Sequence, residues 1–371
     1  MGNAKRSYPH QLPKFLAAGN SFPVHWHKAR YGFLDLETEV ENRCEIIELK
    51  SSGDEHRHQF ARSILAGLRQ KLKQLPYTYH YDQEGSRLFQ KITELDEYYL
   101  TSCEREIFRN HHHEIAALLC DDVLHIIELG VGDGHKSMIL LEHFLSRRQK
   151  FRYIPIDISR EAFRQLNARY QDHCPEILDS TTLLQKNYQT ALDKLPEKEG
   201  GHRVVLFLGS SIGNLTDMEA LQFLFELRMV LSHGDWILIG FDLIKDIAVM
   251  ERAYNDHAQT TAAFNLNLLT RINREFDANF SAQHFQFRSY FDFQTHAIES
   301  WLVSLRDQQV EIPGLGFSLR LETNEGIHVE TSRKYQPQEI LQLARQSGFK
   351  VKAEFYDSRR YFLDTLWQID K

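Results

Sequence analysis

Ile126-Ile127-Glu128-Leu129-Gly130-Val131-Gly132-Asp133-Gly134 is the stretch from which the rest of the chain is read. An apolar run enters it from residue 123, and Met138, Leu140, Leu141 and Phe144 leave it at helical spacing. Buried strand, tight loop and helix follow from that pattern. Glycines directly after a buried strand let the backbone turn sharply and approach a ligand that a Cβ would exclude. The alternation recurs outward, with apolar strands at 153–158, 204–208 and 236–241 and helices from about 160 and about 217. Short apolar strands alternating with helices predict an α/β fold with a doubly wound, Rossmann-like parallel sheet.

The loop also narrows the ligand. A dinucleotide site reads G-x-G-x-x-G with an acidic residue about 20 positions on. Here the loop is G-x-G-x-G after Glu128, and the next strand ends at Asp157. A carboxylate there can accept both ribose hydroxyls of an adenosyl group, which suits S-adenosylmethionine better than NAD. The loop alone would fit any strand-to-helix turn; Asp157 supplies the ligand reading.

Beyond Asp242 the pattern changes: 246–275 reads as helical, 284–304 and 316–330 alternate as strands do, and a helix near 338–347 precedes a last strand at 361–368. The expected organisation is an N-terminal extension over 1–60 and a discontinuous second lobe over 61–115 and 243–320. The cofactor domain takes 116–242 and 321–371.

Bulk properties limit the function. The 371 residues are 42% hydrophobic and 26% charged, with no stretch long and apolar enough to span a bilayer, so no membrane role is expected. A net charge of −7 has the wrong sign for gripping a phosphate backbone, which argues against nucleic acid. The first thirty residues lack a secretory apolar segment, so the cytoplasm is the expected location. Cys44, Cys103, Cys120 and Cys174 form no C-x-x-C pair, and no metal is expected. His111-His112-His113-Glu114 reads as a solvated helix start, since consecutive histidines on a helix point in different directions. Arg147, Arg148 and Lys150 read as a helix end. Oligomeric state is not legible; a monomer is the default.

Several further motifs carry a resemblance. They are Tyr81-Asp82-Gln83-Glu84-Gly85-Ser86 with Leu88-Phe89, Glu97-Tyr98-Tyr99-Leu100-Thr101 with Glu104, and Phe207-Leu208-Gly209-Ser210-Ser211-Ile212-Gly213-Asn214-Leu215. Asp242-Leu243-Ile244-Lys245-Asp246, Ala253-Tyr254-Asn255-Asp256, Thr261-Ala262-Ala263-Phe264-Asn265 and His328-Val329-Glu330-Thr331-Ser332-Arg333-Lys334-Tyr335 follow. From about residue 78 to the end, the chain resembles the histidine Nα-methyltransferases of ergothioneine biosynthesis. That family also includes fungal enzymes that methylate prenylated tryptophan.

The resemblance implies a methyltransferase sheet carrying a substrate-binding lobe, with a small amino acid held between them and three methyl groups delivered to its α-nitrogen. It places S-adenosylmethionine on Gly130, Lys136 and Asp157, with Gly132 and Gly209 beside them and Asn187-Tyr188 at the adenine. The family commonly has an acidic residue where Asn187 stands. Asn214 falls at the α-amino group with Tyr81 close by, the pair expected to serve catalysis. Tyr98 and Tyr254 fall at the carboxylate, and Glu330 and Ser332 at the imidazole. Ser300 departs from the methionine common at its position, which implies a roomier or more polar pocket.

The expected activity is therefore Nα-methylation of an amino acid, L-histidine first, with tryptophan or a modified aromatic amino acid as the alternative. A non-catalytic adenosyl-binding scaffold is the alternative of another class. Hydroxyl and amide groups can fix a substrate carboxylate without setting a cation beside the sulfonium, and Glu330 can accept an imidazole N–H.

Overall fold

The strand β4 (Leu124–Leu129) is buried at all six positions, because a central parallel strand is covered by helices on both faces. It organises a nine-stranded sheet of order β1-β2-β6-β5-β4-β7-β8-β15-β14. In that sheet β1 is Leu36–Glu41, β2 Cys44–Leu49, β5 Phe151–Asp157, β6 Thr182–Gln185, β7 His202–Phe207 and β8 Trp236–Asp242. The last two, β14 (Phe349–Tyr356) and β15 (Phe362–Ile369), close it. The pairs from β2 to β8 run parallel, while β1 on β2, β15 on β8 and β14 on β15 run antiparallel. The computed structural model describes residues 36–41, 44–49, 53–185, 191–192, 195, 198 and 200–369.

The chain leaves β4 toward β5 on one side and toward β7 on the other, so the strand order reverses at β4. In such sheets the crevice beyond the C-terminal strand ends at the reversal is where ligands bind. Two apolar layers cover the faces. One joins the helices α3 (Tyr99–Leu119), α4 (His135–Ser146) and α5 (Arg160–His173) to the sheet through Ile107, Phe108, Leu141, Leu166 and Tyr170. The other seats α6 (Asp217–Val230) and α9 (Pro337–Gln346) through Phe223, Leu227, Ile340 and Ala344. Local caps fix the helix starts: Thr216 and Glu219 form a reciprocal capping box on α6, and Ser159 Oγ accepts from Ala162 N at 3.2 Å on α5.

A second sheet has the order β3-β13-β10-β9, with β3 at Lys73–Gln74, β9 at Phe285–Asp292, β10 at Ala297–Ser304 and β13 at Gly326–Arg333. A hairpin of β11 (Gln308–Ile312) and β12 (Phe317–Leu321) stands beside it. Its core draws Phe60, Ile64 and Leu68 from α1 (Gly53–Leu68) against Leu268, Ile272 and Phe276 of α8 (Thr260–Phe276) and Leu302 and Ile327 of the sheet. The helix α2 (Gln83–Thr93) is tied to α8 where Asp82 accepts from Asn267 at 2.8 Å and Arg274 at 2.6 Å.

The observed elements divide the chain differently from the sequence expectation at several places. β13 pairs with β10, so the second lobe continues past residue 320 to about 333, where the backbone ties Tyr335 to Asp242 and Ile244. α3 packs on the large sheet, so residues 99–115 go with that sheet. Within 1–60, the β1–β2 hairpin edges the large sheet. The helical stretch 246–275 is two helices, α7 (Ile247–Tyr254) and α8, parted where Asp256 accepts the N–H groups of Thr260 and Thr261 at 2.7 and 2.8 Å. The histidine run lies in the body of α3 rather than at a helix start.

Gly67 shows how closely α1 approaches the second sheet, since a Cβ there would stand 2.0 Å from the Gln74 carbonyl oxygen. Gly67→Ala is expected to force α1 and β3 apart and to destabilise the chain by about 1–3 kcal/mol, read by urea unfolding. An unchanged midpoint would show that α1 does not hold this register.

Candidate active site

Gly130, Gly132 and Gly134 have φ of +70°, +58° and +66°, a region in which a side chain is strained. Their surroundings differ. A Cβ on Gly134 would meet Tyr170 Oη at 2.7 Å, while open space lies over Gly130 and Gly132. Gly134 thus serves packing, and the other two leave a bare backbone cradle at the strand-order reversal.

Buried groups fasten the loop from below. Tyr153 Oη donates to Glu128, Ser137 Oγ lies 3.3 Å from Tyr153 Oη and 3.2 Å from Tyr170 Oη, and Tyr170 donates to the Gly134 carbonyl at 3.2 Å. Burial pushes the Glu128 carboxyl up to about 7, against the pull of Tyr153, Ser137 and Lys136. On the outer side Arg169 donates to the Asp133 carboxylate at 2.6 Å and to its carbonyl at 3.1 Å.

Asp157 stands at the end of β5. One carboxylate oxygen accepts the Gly132 N–H at 3.1 Å and the other the Ser159 N–H at 2.9 Å. Burial raises its carboxyl above the usual range, and those backbone N–H groups oppose the shift. An open cleft lined by Tyr81, Ile158, Ser159 and Gln185 begins there. The bare cradle and the neighbouring carboxylate fit the ribose and methionine parts of S-adenosylmethionine.

Lys136 and Gly209 are joined by a residue that the sequence reading quoted within a motif but gave no role. Glu104, on α3 and fully buried, takes the Lys136 ammonium on one oxygen and the Gly209 N–H on the other at 2.7 Å. Asp364 lies beside it on β15, and burial together with Glu104 pushes its carboxyl well above the usual range. Lys136 therefore lies in an ion pair with a buried carboxylate at the base of the cradle. Asn187 and Tyr188 lie outside the described residues.

On the second-lobe side, Tyr254 ends α7 and its Oη lies 2.7 Å from Ser332 Oγ on β13. Lys334, fully buried, donates to both hydroxyls at 2.9 Å and pairs with Asp242 at 2.8 Å. Asp242 also binds Lys245 and accepts from Tyr99 Oη at 2.8 and 3.0 Å. Burial would raise its carboxyl, but Lys245 and Lys334 outweigh burial and hold it below its usual range. The neighbourhood expected to lack a cation thus has one directly behind its hydroxyls, paired with the Asp242 carboxylate that Lys245 shares.

Tyr98 lies against Tyr254 with ring centroids 6.0 Å apart, and Tyr81 packs on Phe89 and Phe264 at 5.4 and 5.5 Å. Burial pushes the phenols of Tyr81, Tyr98 and Tyr254 well above their usual range, with Glu330 adding to each, so all three are neutral donors. The Tyr81 phenol also feels Asp157, which places the cofactor-side and second-lobe groups around one space. Glu330 is pushed up to about 7 by burial, with Lys334 and His328 pulling the other way. Among the described residues neither its carboxyl nor the Asn214 amide, at the end of the turn Ser211–Asn214, has a hydrogen-bond partner.

Ser300 pairs across the sheet with Glu330 on one side and Ser289 on the other, so the three side chains share a face. The buried Oγ atoms of Ser300 and Ser289 have no partner among the described residues. Ser289 is an addition of the structure; its cross-strand register carries no local sequence signal.

A reversed parallel sheet with a glycine loop at the reversal and a carboxylate on the neighbouring strand end defines this chain as an S-adenosylmethionine-dependent methyltransferase in architecture. The chain belongs to the family of histidine-specific, S-adenosylmethionine-dependent methyltransferases, whose model matches residues 60–369. It is 35% identical over 290 residues to a histidine N-alpha-methyltransferase of Mycolicibacterium smegmatis, covering 78% of this chain and 88% of that one. It is 30% identical to the ergothioneine biosynthesis protein 1 of Neurospora crassa, over 79% of this chain and 33% of that longer one. An N-methyltransferase of Aspergillus fumigatus is 27% identical over 91% of this chain and 88% of its own. The chain is a methyltransferase that uses S-adenosylmethionine, and no helix among the described residues is long and apolar enough to cross a membrane.

Glu128 gives a prediction with a definite sign. Its carboxyl rises from about 4.5 to about 7 on folding, so the folded state is favoured below pH 4.5 and penalised progressively up to pH 7. Glu128→Gln cannot ionise, and its stability relative to wild type is expected to climb across that window and then level. Urea unfolding of both proteins over the window measures it; a flat difference would show that Glu128 does not titrate there.

Proposed function

We propose that the chain transfers methyl groups from S-adenosylmethionine to the α-nitrogen of L-histidine, ending at the trimethylated amino acid. The observation that carries this reading is Glu330, a half-buried carboxyl without a hydrogen-bond partner among the described residues, set among three neutral phenols. An imidazole N–H supplies what Glu330 lacks.

The sulfonium supplies an activated methyl group, so the protein's task is to present a neutral amine in line with it at about 3–3.5 Å. Asn214 accepts an N–H of the amine through its carbonyl oxygen and tolerates the rotations that repeated transfer requires. Tyr98 and Tyr254 hold the carboxylate side, and Ser332 stands with Glu330 on the imidazole side. Lys334 donates to both Tyr254 and Ser332, and one hydroxyl proton is used between them, so one remains to donate to the substrate. Tyr81 closes the space between the amine and Asp157. Gly130, Gly132, Lys136, Asp157 and Gly209 form the cofactor side, with Lys136 and Gly209 set by Glu104. Placing the α-amino group near a sulfonium lowers its pKa and favours the free amine.

Ser300 favours a second reading. Two partnerless hydroxyls beside Glu330 suit a larger or more polar side chain, such as tryptophan or a modified aromatic amino acid.

Purified protein with S-adenosylmethionine and each of the twenty amino acids, followed by mass spectrometry, decides between these readings. Gains of one to three methyl groups on histidine are expected; tryptophan as the better substrate would establish the second reading, and no product from any amino acid would overturn both. Asn214→Ala is expected to lower the rate of trimethyl product by about tenfold or more, the loss of one positioned hydrogen bond. Asp157→Ala is expected to weaken S-adenosylmethionine binding by about tenfold or more in calorimetry. KM for histidine should fall as pH rises through about 7, as Glu330 ionises. Glu330→Gln should lack that component, and the ratio of the two profiles removes the titration of free histidine.

A further inference from the structure

Three imidazoles meet where α3 lies along α4. The ring centroids of His112 and His113 are 3.9 Å apart, those of His113 and His143 4.5 Å, and those of His112 and His143 5.2 Å. One ring nitrogen from each falls within 4.8 Å of the other two. The sequence argument that adjacent histidines diverge therefore fails here. His112 and His113 lean into the same seam, and the third imidazole comes from another helix.

The tautomer of His112 is fixed by its surroundings. Its Nδ1 faces the carbonyl oxygens of Phe108 at 3.1 Å and Arg109 at 3.0 Å. A carbonyl only accepts, so Nδ1 carries the proton and Nε2 keeps its lone pair. Metal-ligating imidazoles are oriented in this way, with the other ring N–H donated to a backbone carbonyl. His111 takes no part: it pairs with Glu114 at 3.5 Å and lies against Phe355 at 5.4 Å.

We propose that His112, His113 and His143 form a binding site for one divalent transition-metal cation of the zinc class. Imidazole nitrogens suit such ions, whereas magnesium and calcium select oxygen ligands. Metal–nitrogen bonds of about 2.0–2.1 Å would draw the three nitrogens together by about an ångström, which rotation of partly exposed rings allows. His113 is exposed and the other two are half-buried, so the fourth position opens to solvent and takes water.

Occupancy clamps α3 to α4. At 1.5 Å per residue, His112 lies about 12 Å along α3 from Glu104, and His143 about 10 Å along α4 from Lys136. The metal thus fixes the two helices whose Glu104–Lys136 pair underlies the glycine cradle. Methyl transfer from a sulfonium needs no metal, so the ion acts on the scaffold.

The test is calorimetric titration of the full chain with zinc alone, with magnesium as the comparison, alongside thermal unfolding. One zinc per chain and a raised melting temperature are expected, with neither effect from magnesium. His143→Ala and His113→Ala should each weaken zinc binding by about tenfold or more and abolish the thermal shift. His111→Ala should change neither. Absence of saturable zinc binding, or binding retained in a His113→Ala/His143→Ala double variant, would overturn the proposal.

Discussion

Asp242 is the point on which the two halves of this enzyme depend. It ends the central strand β8, and its carboxylate holds Lys334 from the end of β13, Lys245 from the following turn and Tyr99 from the first turn of α3. Two buried ammonium groups on one buried carboxylate are tolerable only because each is further hydrogen-bonded, and removing one partner of such a pair costs about 3–5 kcal/mol. The backbone repeats the connection, with Tyr335 N–H donating to the Asp242 carbonyl at 2.9 Å. Sheet, lobe and helix thus converge on one strand end, where the site hydroxyls of Tyr254 and Ser332 begin.

A related economy of charge runs through the site. The lysines near the cradle and the phenols are paired with buried carboxylates: Lys136 with Glu104, and Lys334 and Lys245 together with Asp242. The three phenols on the second-lobe side are neutral, and Asp157 and Glu330 are the carboxyls beside them. These pairings lower the positive field that a sulfonium would meet, and a second positive charge on the amine beside that sulfonium is disfavoured.

Local features were the legible ones. The glycine loop, the strand ends at Asp157 and Asp242 and the alternation of strands and helices are properties of short windows, and the strands at 126–129, 204–207 and 236–241 are found where apolar runs predict them. β14 was missed because its residues alternate between exposed and half-buried, a weaker signal than a wholly apolar run. Glu104 and Lys334 stood inside motifs, but the partners that give them meaning are 32 to 105 residues away for Glu104 and, apart from the neighbouring Ser332, 80 to 92 for Lys334, and no spacing rule reaches so far. The row of Ser289, Ser300 and Glu330 depends on strand register, and the meeting of His143 with His112 and His113 on helix packing. Residues 1–35 and the Asn187-Tyr188 pair lie outside the described structure.

The order in which the second lobe is stitched together bears on how the enzyme is made. Its core sets Phe60, Ile64 and Leu68 against Leu302 and Ile327, partners that leave the ribosome more than two hundred residues later. At about 5–20 residues per second, the apolar stripe of α1 waits on the order of tens of seconds for its cover. Meanwhile the strands β4 to β8 emerge as a continuous block and can pair as they appear. During synthesis this chain therefore offers a chaperone an early apolar helix, and the lobe bearing Glu330 is among the last parts of the enzyme to mature.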